Sequence, residues 1–159
     1  VIAAVANEFK KISGRQYSAI SAFNVEDADA AIMCLGSIAG TARTVAARLR
    51  QKGKRVGVIK IWQYRPFPTI EIARILSNLK CVAVIDRAVS FGAPYGALCN
   101  DIASTKELTG IKTKMFNVIC GLGGRDVRPT EIEYIFEKSL ACASGEPIDD
   151  PVSFVGVRA

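Results

Sequence analysis

Asp29-Ala-Ala-Ile-Met-Cys-Leu-Gly-Ser-Ile-Ala-Gly-Thr-Ala42, continued as far as Trp62, sets the fold class of this 159-residue chain. Residues 30–35 form an apolar run that stops at Gly36, as a strand covered on both faces does. Beyond it, Ile38, Ala42, Val45, Ala46 and Leu49 recur at helical spacing and fall on one face. Gly53 breaks that pattern, and Val56-Gly-Val-Ile-Lys-Ile61 reads as a second strand. Strand, helix and strand in so short a span make a βαβ unit, whose crossover forces its strands parallel. The chain is therefore expected to be α/β.

Toward the N-terminus, Ile2, Val5, Ala6 and Phe9 mark an apolar helical pattern. It is halted by Lys10-Lys-Ile-Ser-Gly14, where cations precede a glycine suited to a left-handed cap. Residues 1–13 read as the end of a linker helix from a preceding domain of a longer polypeptide. In Gln16 to Phe23, Tyr17, Ala19, Ser21 and Phe23 alternate with Gln16, Ser18 and Ile20, which suggests a strand at a sheet edge. Toward the C-terminus, two prolines make Trp62-Gln-Tyr-Arg-Pro-Phe-Pro68 a loop. Thr69 can cap a helix that turns Ile70, Ala73, Leu76 and Leu79 inward. A buried strand at Cys81 to Ile85 ends at Asp86-Arg87. A helix from about Tyr95 to Leu108 is closed by Gly110, and Lys114 to Cys120 is the last strand. Pro129 opens a final helix with Ile132, Ile135, Phe136 and Leu140 inward. One domain over residues 14–142 follows, with an extended tail at 143–159 whose Phe154 and Val155 need a surface to lie on.

Composition narrows the function classes. Half of the residues are hydrophobic, enough for one sizeable core. No run approaches bilayer length and the opening residues do not read as a secretory signal, so no membrane partner and a cytoplasmic location are expected. Lys and Arg outnumber Asp and Glu 21 to 15, with Arg48, Arg50, Lys52, Lys54 and Arg55 clustered. Such a cluster can bind nucleic acid, but no aromatic residues interleave with it, and cations at a helix C-terminus are the simpler account. No nucleic-acid partner is expected. Cys34, Cys81, Cys99, Cys120 and Cys142 lack the spacing of zinc or iron–sulfur sites and read as reduced, buried thiols. The chain has no histidine, so the commonest general base and metal ligand are absent. No catalytic residue and no metal site are assigned.

In an open parallel sheet, ligands and partners meet the carboxyl ends of the strands. Four loops fall there: Gly36-Ser37, Trp62 to Pro68, Asp86 to Gly92 and Gly121 to Asp126. Gly36, Ser37 and Gly40 precede a helix N-terminus and are candidates for holding an anion, although they match neither dinucleotide nor triphosphate fingerprints. A tight strand-to-helix turn is the plainer reading. Gly121-Leu-Gly-Gly124 follows the last strand and reads as a turn with positive φ angles. Arg65, Asp86, Arg87, Arg125 and Asp126 place charges on the same rim. A network of Arg–carboxylate pairs there would fix the loops or dock a partner chain.

Taken together, Gly14-Arg-Gln-Tyr17, Glu26-Asp-Ala28, Leu35-Gly-Ser37, Arg65-Pro-Phe-Pro68, Asp86-Arg87 and Gly121-Leu-Gly-Gly-Arg-Asp-Val127 resemble one family in order and spacing. That family is the second domain of the alpha chain of 2-oxoacid:ferredoxin oxidoreductases, most closely the pyruvate enzymes. The resemblance implies a fold like the transketolase C-terminal domain: three α/β/α layers around a five-stranded, mostly parallel sheet with its first strand antiparallel. It further implies a parent complex of anaerobic metabolism that converts pyruvate and coenzyme A to acetyl-CoA and CO2 with ferredoxin as electron acceptor. Thiamine diphosphate with Mg2+ and [4Fe–4S] clusters would be carried elsewhere in that complex, none of them by this domain. Implied partners are the preceding alpha-chain domain, a thiamine-binding beta subunit, and gamma and ferredoxin-like delta subunits or their fused equivalents. The expected role is a non-catalytic assembly domain. Alternatives are an anion, nucleotide or coenzyme A binder using Gly36, Ser37 and Gly40, or the matching domain of a transketolase or deoxyxylulose-phosphate synthase.

Overall fold

A computed structural model describes residues 1–157 and orders the elements as α1 (Ile2–Ser13), β1 (Ile20–Phe23), β2 (Ala30–Leu35), α2 (Ile38–Gln51), β3 (Val56–Ile61), α3 (Thr69–Leu76), β4 (Cys81–Asp86), α4 (Ala97–Thr109), β5 (Lys114–Cys120), α5 (Pro129–Ala143) and β6 (Val152–Val155). The strands form one sheet in the order β1-β3-β2-β4-β5-β6, parallel except for β1, which runs antiparallel to β3. Period-two alternation splits each central strand between two cores. Ala30, Ile32 and Cys34 of β2 face α2 and α5, while Ala31 and Met33 face α3 and α4. The α2 face read from the sequence is the buried one: Ile38, Ala42, Val45, Ala46 and Leu49 are all at most 5% exposed.

The α/β class, the three layers and the antiparallel first strand are as expected. The sheet has six strands rather than five, because Val152–Val155 of the tail pairs in parallel with Asn117–Cys120 of β5. The Asn117 N–H to Pro151 carbonyl bond (2.8 Å) starts that ladder, and Val155 packs onto the α2–α5 core. The tail thus finds its surface as a strand, although Phe154 stays half exposed.

Two local readings change. β1 begins at Ile20, not Gln16, because its partner β3 ends at Ile61; the Trp62 and Gln63 N–H groups both close onto the Ala19 carbonyl and the chain turns away. On α3, Ile70 is 72% exposed and Ile72 is buried. Residues spaced by three drift about 60° per step around a helix, so Ile70, Ala73, Leu76 and Leu79 cannot share a face. Ile72 and Leu76, with Leu79 just beyond the helix, do share one. Thr69 is the first helical residue and makes no side-chain cap bond; Pro68 occupies the cap position.

The strand order reverses around β2: the chain leaves it for β3 on one side and crosses back to β4 on the other. The crevice at this switch point lies between the Gly36-Ser37 turn and the loop after β4.

Candidate functional site

Parallel register brings the ends of β2, β3, β4 and β5 to one rim, so the four loops singled out in the sequence do converge on one edge. Their charged residues do not pair with one another. Arg65 pairs with Asp101 of α4 at 3.0 Å, and its guanidinium lies 4.1 Å from the Tyr64 ring centroid. Arg87 donates to the Gly121 carbonyl (3.2 Å) and Arg125 to the Gly156 carbonyl (2.8 Å). Asp126 is exposed, beside Arg125 in sequence. The expected web of Arg–carboxylate pairs among these five residues is replaced by ties to Asp101 and to two main-chain carbonyls. Backbone carbonyls at the tight Gly121 and Gly156 turns, both at positive φ, fill the acceptor role assigned to the carboxylates.

Asp86 is almost fully buried (7% exposed) and has a different task. Its carboxylate accepts the N–H groups of Leu98 (2.9 Å) and Cys99 (3.1 Å), capping α4 from a distant strand. Asn117, fully buried on β5, donates to Asp86 (3.0 Å) and to the Val84 carbonyl (2.8 Å) and accepts the Gly96 N–H (2.8 Å). A Cβ at Gly96 would collide with the Asp86 side chain, so glycine is required there. Asn117 is a structural residue the sequence reading missed; a polar side chain in the apolar run Met115 to Cys120 was the available signal.

The Gly36-Ser37 turn is exposed at the switch point. Gly36 takes φ +69, Ser37 makes no side-chain cap bond, and the Gly40 N–H folds back to the Ser37 carbonyl at 2.9 Å. The N-terminus of α2 therefore has no side-chain oxygen on it.

The thiols are built into the core. All five are free and buried; Cys34, Cys81, Cys120 and Cys142 lie in the α2–α5 core, and Cys99 lies in the other. Burial pushes the Cys34 and Cys99 thiols up to about 12 and Cys120 up to about 11. Burial and a bond to Cys142 push Cys81 up as well. A thiol held protonated in this way is a poor nucleophile and a poor metal ligand. Among the described residues, no three Cys, Asp or Glu side chains group as a metal site would require. The rim carboxylate that is buried, Asp86, already has its bonds filled by α4 and Asn117. These thiols and Asp86 do not fit an iron–sulfur cluster or a Mg2+–diphosphate.

At the opposite edge of the sheet, the basic cluster is largely neutralised. Arg50 forks onto Asp27 (2.6 Å), Arg55 and Lys80 share Asp29 (2.7 and 2.8 Å), and Lys52 reaches Glu133 (3.5 Å). Bonds from Lys80 and Arg55 hold the Asp29 carboxyl below its ordinary range.

A broad concavity lies elsewhere, at the β1 edge. A cleft of about 1220 Å3 runs between α1, the Gln16 to Ala22 segment, the Trp62 to Pro68 loop and α3. The face of α1 bearing Ile2, Val5, Phe9 and Ile12 is 45–85% exposed, and no residue of α1 is buried. Phe9, Tyr17 and Trp62 continue this apolar surface, with ring centroids 5.7 and 6.2 Å apart. Lys60 lies over the Trp62 ring at 3.5 Å. Scattered single apolar residues on a surface are ordinary, but a contiguous stripe joined to an aromatic row is a contact surface.

Residues 28–132 match the family model described as pyruvate:ferredoxin oxidoreductase core domain II. Pyruvate synthase subunit PorA of Thermotoga maritima is 36% identical over 97% of the chain, and the PorA subunit of Methanothermobacter thermautotrophicus is 35% identical over 99%. The ketoisovalerate oxidoreductase subunit VorA of Pyrococcus horikoshii is 35% identical over 99%. The chain spans only 38–40% of the length of these relatives. Among solved structures, a 2-oxoglutarate:ferredoxin oxidoreductase from Magnetococcus marinus, with 2-oxoglutarate, coenzyme A and succinyl-CoA bound, superposes with a TM-score of 0.63 at 25% identity. That match covers 78% of this chain and 20% of the other.

Proposed function

Because this chain belongs to the pyruvate:ferredoxin oxidoreductase core domain II family, as domain II of a PorA-type alpha subunit, we propose that it is a non-catalytic assembly domain of a cytoplasmic 2-oxoacid:ferredoxin oxidoreductase. The parent complex oxidises pyruvate or a related 2-oxoacid with coenzyme A and ferredoxin, releasing CO2. Thiamine diphosphate, Mg2+ and iron–sulfur clusters reside in its other parts. The domain's partners are the rest of the alpha chain and the beta, gamma and delta subunits or their fused equivalents.

The observation that carries this reading is the uncovered face of α1. Ile2, Val5, Phe9 and Ile12 form an apolar stripe that stays 45–85% exposed, with Tyr17 touching it at Phe9. At roughly 25 cal/mol per Å2, covering such a stripe returns a substantial free energy of association. The preceding part of the alpha chain is the natural cover, with residues 1–13 as the end of the helix that joins the two and residues 14–142 as the domain body. Catalysis is left to other domains: the thiols are buried in the core, Asp86 is fixed in a cap, and Arg65 and Arg125 are held by structural partners.

The test is a pair of variants in the complete complex, Val5→Ser and Phe9→Ser, read by thermal melting and native mass spectrometry. Both are expected to lower the melting temperature and recovery of the complex, while the isolated chain turns over nothing with pyruvate, coenzyme A and a ferredoxin substitute. An unchanged complex, or turnover by the isolated chain, contradicts the proposal.

A second reading has one observation in its favour. The exposed, side-chain-free N-terminus of α2 sits at the switch point, where an anion such as the diphosphate of coenzyme A would meet the Gly36 to Gly40 backbone. Calorimetric titration with coenzyme A and adenine nucleotides separates the two: heat at millimolar ligand supports binding, and silence ends it.

A further inference from the structure

Strand β6 is attached less firmly than the other parallel strands, each of which has a neighbour on both sides. β4, for example, pairs with β2 and β5, and every one of its residues is buried. β6 pairs with β5 alone, over four residues, and none of them is buried: Val152, Ser153 and Val155 are half-buried and Phe154 is 52% exposed. The Ser153 hydroxyl is enclosed without a hydrogen-bond partner, so docking strips it of water and returns no bond. Of this strand only Val155 packs on the α2–α5 core.

The strand is held chiefly at its two ends. At its start the Asn117 N–H donates to the Pro151 carbonyl at 2.8 Å. At its finish Arg125, from the turn after β5, donates to the Gly156 carbonyl at 2.8 Å. Gly156 (φ +73) turns against Glu131, where a Cβ would lie 2.8 Å from a carboxylate oxygen. The elements on either side are closed without the strand. The Asn117 side chain bonds Val84, Asp86 and Gly96, none of them in the tail. α5 is finished by the N–H groups of Ser144, Gly145 and Glu146, which fold back onto its last carbonyls. The connector from Gly145 to Asp150 is exposed apart from Ile148.

We propose that β6 is a detachable strap: when the Arg125 clasp releases, residues 151–157 leave the sheet as a unit while the other strands and the helices stay folded. Opening bares the edge of β5 from Asn117 to Cys120, a row of main-chain groups of the kind that pairs with an extended segment, and frees the Arg125 guanidinium at the rim. A segment with one ladder, no buried residue and an enclosed hydroxyl without a partner has the traits of a unit that opens below the global unfolding energy. The strap holds whether or not the domain has the assembly role.

The test is amide hydrogen exchange of the full 159-residue chain, read residue by residue by NMR. The reporter is the Asn117 N–H, whose acceptor lies in the tail, compared with the slowest amides of β4. Asn117 is expected to exchange about a hundredfold faster than these, or more. Sub-denaturing urea and Leu49→Ala are expected to speed the β4 amides roughly tenfold or more and to leave Asn117 unchanged, because the strap exposes little surface on opening and leaves Leu49 packed. Arg125→Ala, which weakens the docked strand itself, is expected to speed Asn117 about fivefold or more, and Ser153→Ala to slow it. Asn117 exchanging at the β4 rate, with the same response to urea, overturns the strap, since the strand then leaves only when the domain unfolds. The urea series uses the wild-type chain, so this outcome does not depend on any variant folding. Arg125→Ala without effect on Asn117 overturns the clasp.

Discussion

α1 and α2 are both amphipathic helices of similar length, 12 and 14 residues, and their fates are opposite. On α2 the stripe from Ile38 to Leu49 lies in the core; on α1 the stripe from Ile2 to Ile12 lies in the open. The sheet makes this difference. Over its central strands one side is filled by α2 and α5 and the other by α3 and α4, which leaves α1 beside the edge strand β1, where the two line an open cleft. An apolar stripe left this exposed is what the assembly surface proposed above requires. Helix pattern gives the presence of a contact surface, and only the packing of the whole domain tells whether that surface is internal.

The contrast can be broken or sharpened by substitution. The largest effect is expected on the buried helix: Leu49→Ala should destabilise the chain by about 2–5 kcal/mol in urea unfolding, since a Leu at 5% exposure leaves a cavity. A change within error would mean that α2 does not bury this face. Next comes Asn117→Ala, which leaves the Gly96 N–H without its partner and loosens the Asp86 cap on α4. A loss of about 1–3 kcal/mol is expected, with faster hydrogen exchange at Gly96, Leu98 and Cys99.

A smaller, pH-dependent effect belongs to Asp29. Its carboxyl titrates below its unfolded value because Lys80 and Arg55 bond the charged form. The stability it contributes is therefore complete above the unfolded carboxylate range and is lost as pH falls through its lowered folded value. Asp29→Asn should remove up to about 1 kcal/mol at neutral pH and flatten that acid limb in a melting series. Equal slopes for wild type and variant would show that the pair does not couple to folding. The smallest effect on the isolated chain is expected at α1. Val5→Ser should stay within about 0.5 kcal/mol in urea unfolding, because the residue it replaces is exposed.

Much of this architecture could be read from residues alone, and the misses have physical causes. β2, α2 and β3 were clear because an unbroken apolar run, a single helical face and a glycine stop all agree between residues 30 and 61. The rim was also clear, since parallel strands must deliver their loops to one edge. β6 was hidden because four residues after a Gly-, Pro- and Asp-rich connector carry little signal; the free edge of β5 completes them. The α3 face was misread because a three-residue spacing imitates helix periodicity over two turns and fails over three. At the candidate site, the positions of Arg65, Arg87 and Arg125 were readable and their partners were not. Asp101 and the carbonyls of Gly121 and Gly156 are distant in sequence, and carbonyl acceptors leave no mark in it. Asp86 looked like a surface charge after a strand and is a buried cap, a role fixed by Gly96 and Asn117 far along the chain.

The most direct test uses the fact that all five native thiols are buried. Val5→Cys places one reactive thiol on the α1 stripe, and its maleimide labelling can be followed by peptide mass in the isolated chain and in the complete complex. Rapid labelling in the isolated chain and at least tenfold slower labelling in the complex are expected if α1 is an assembly surface. Equal rates in the two would contradict it.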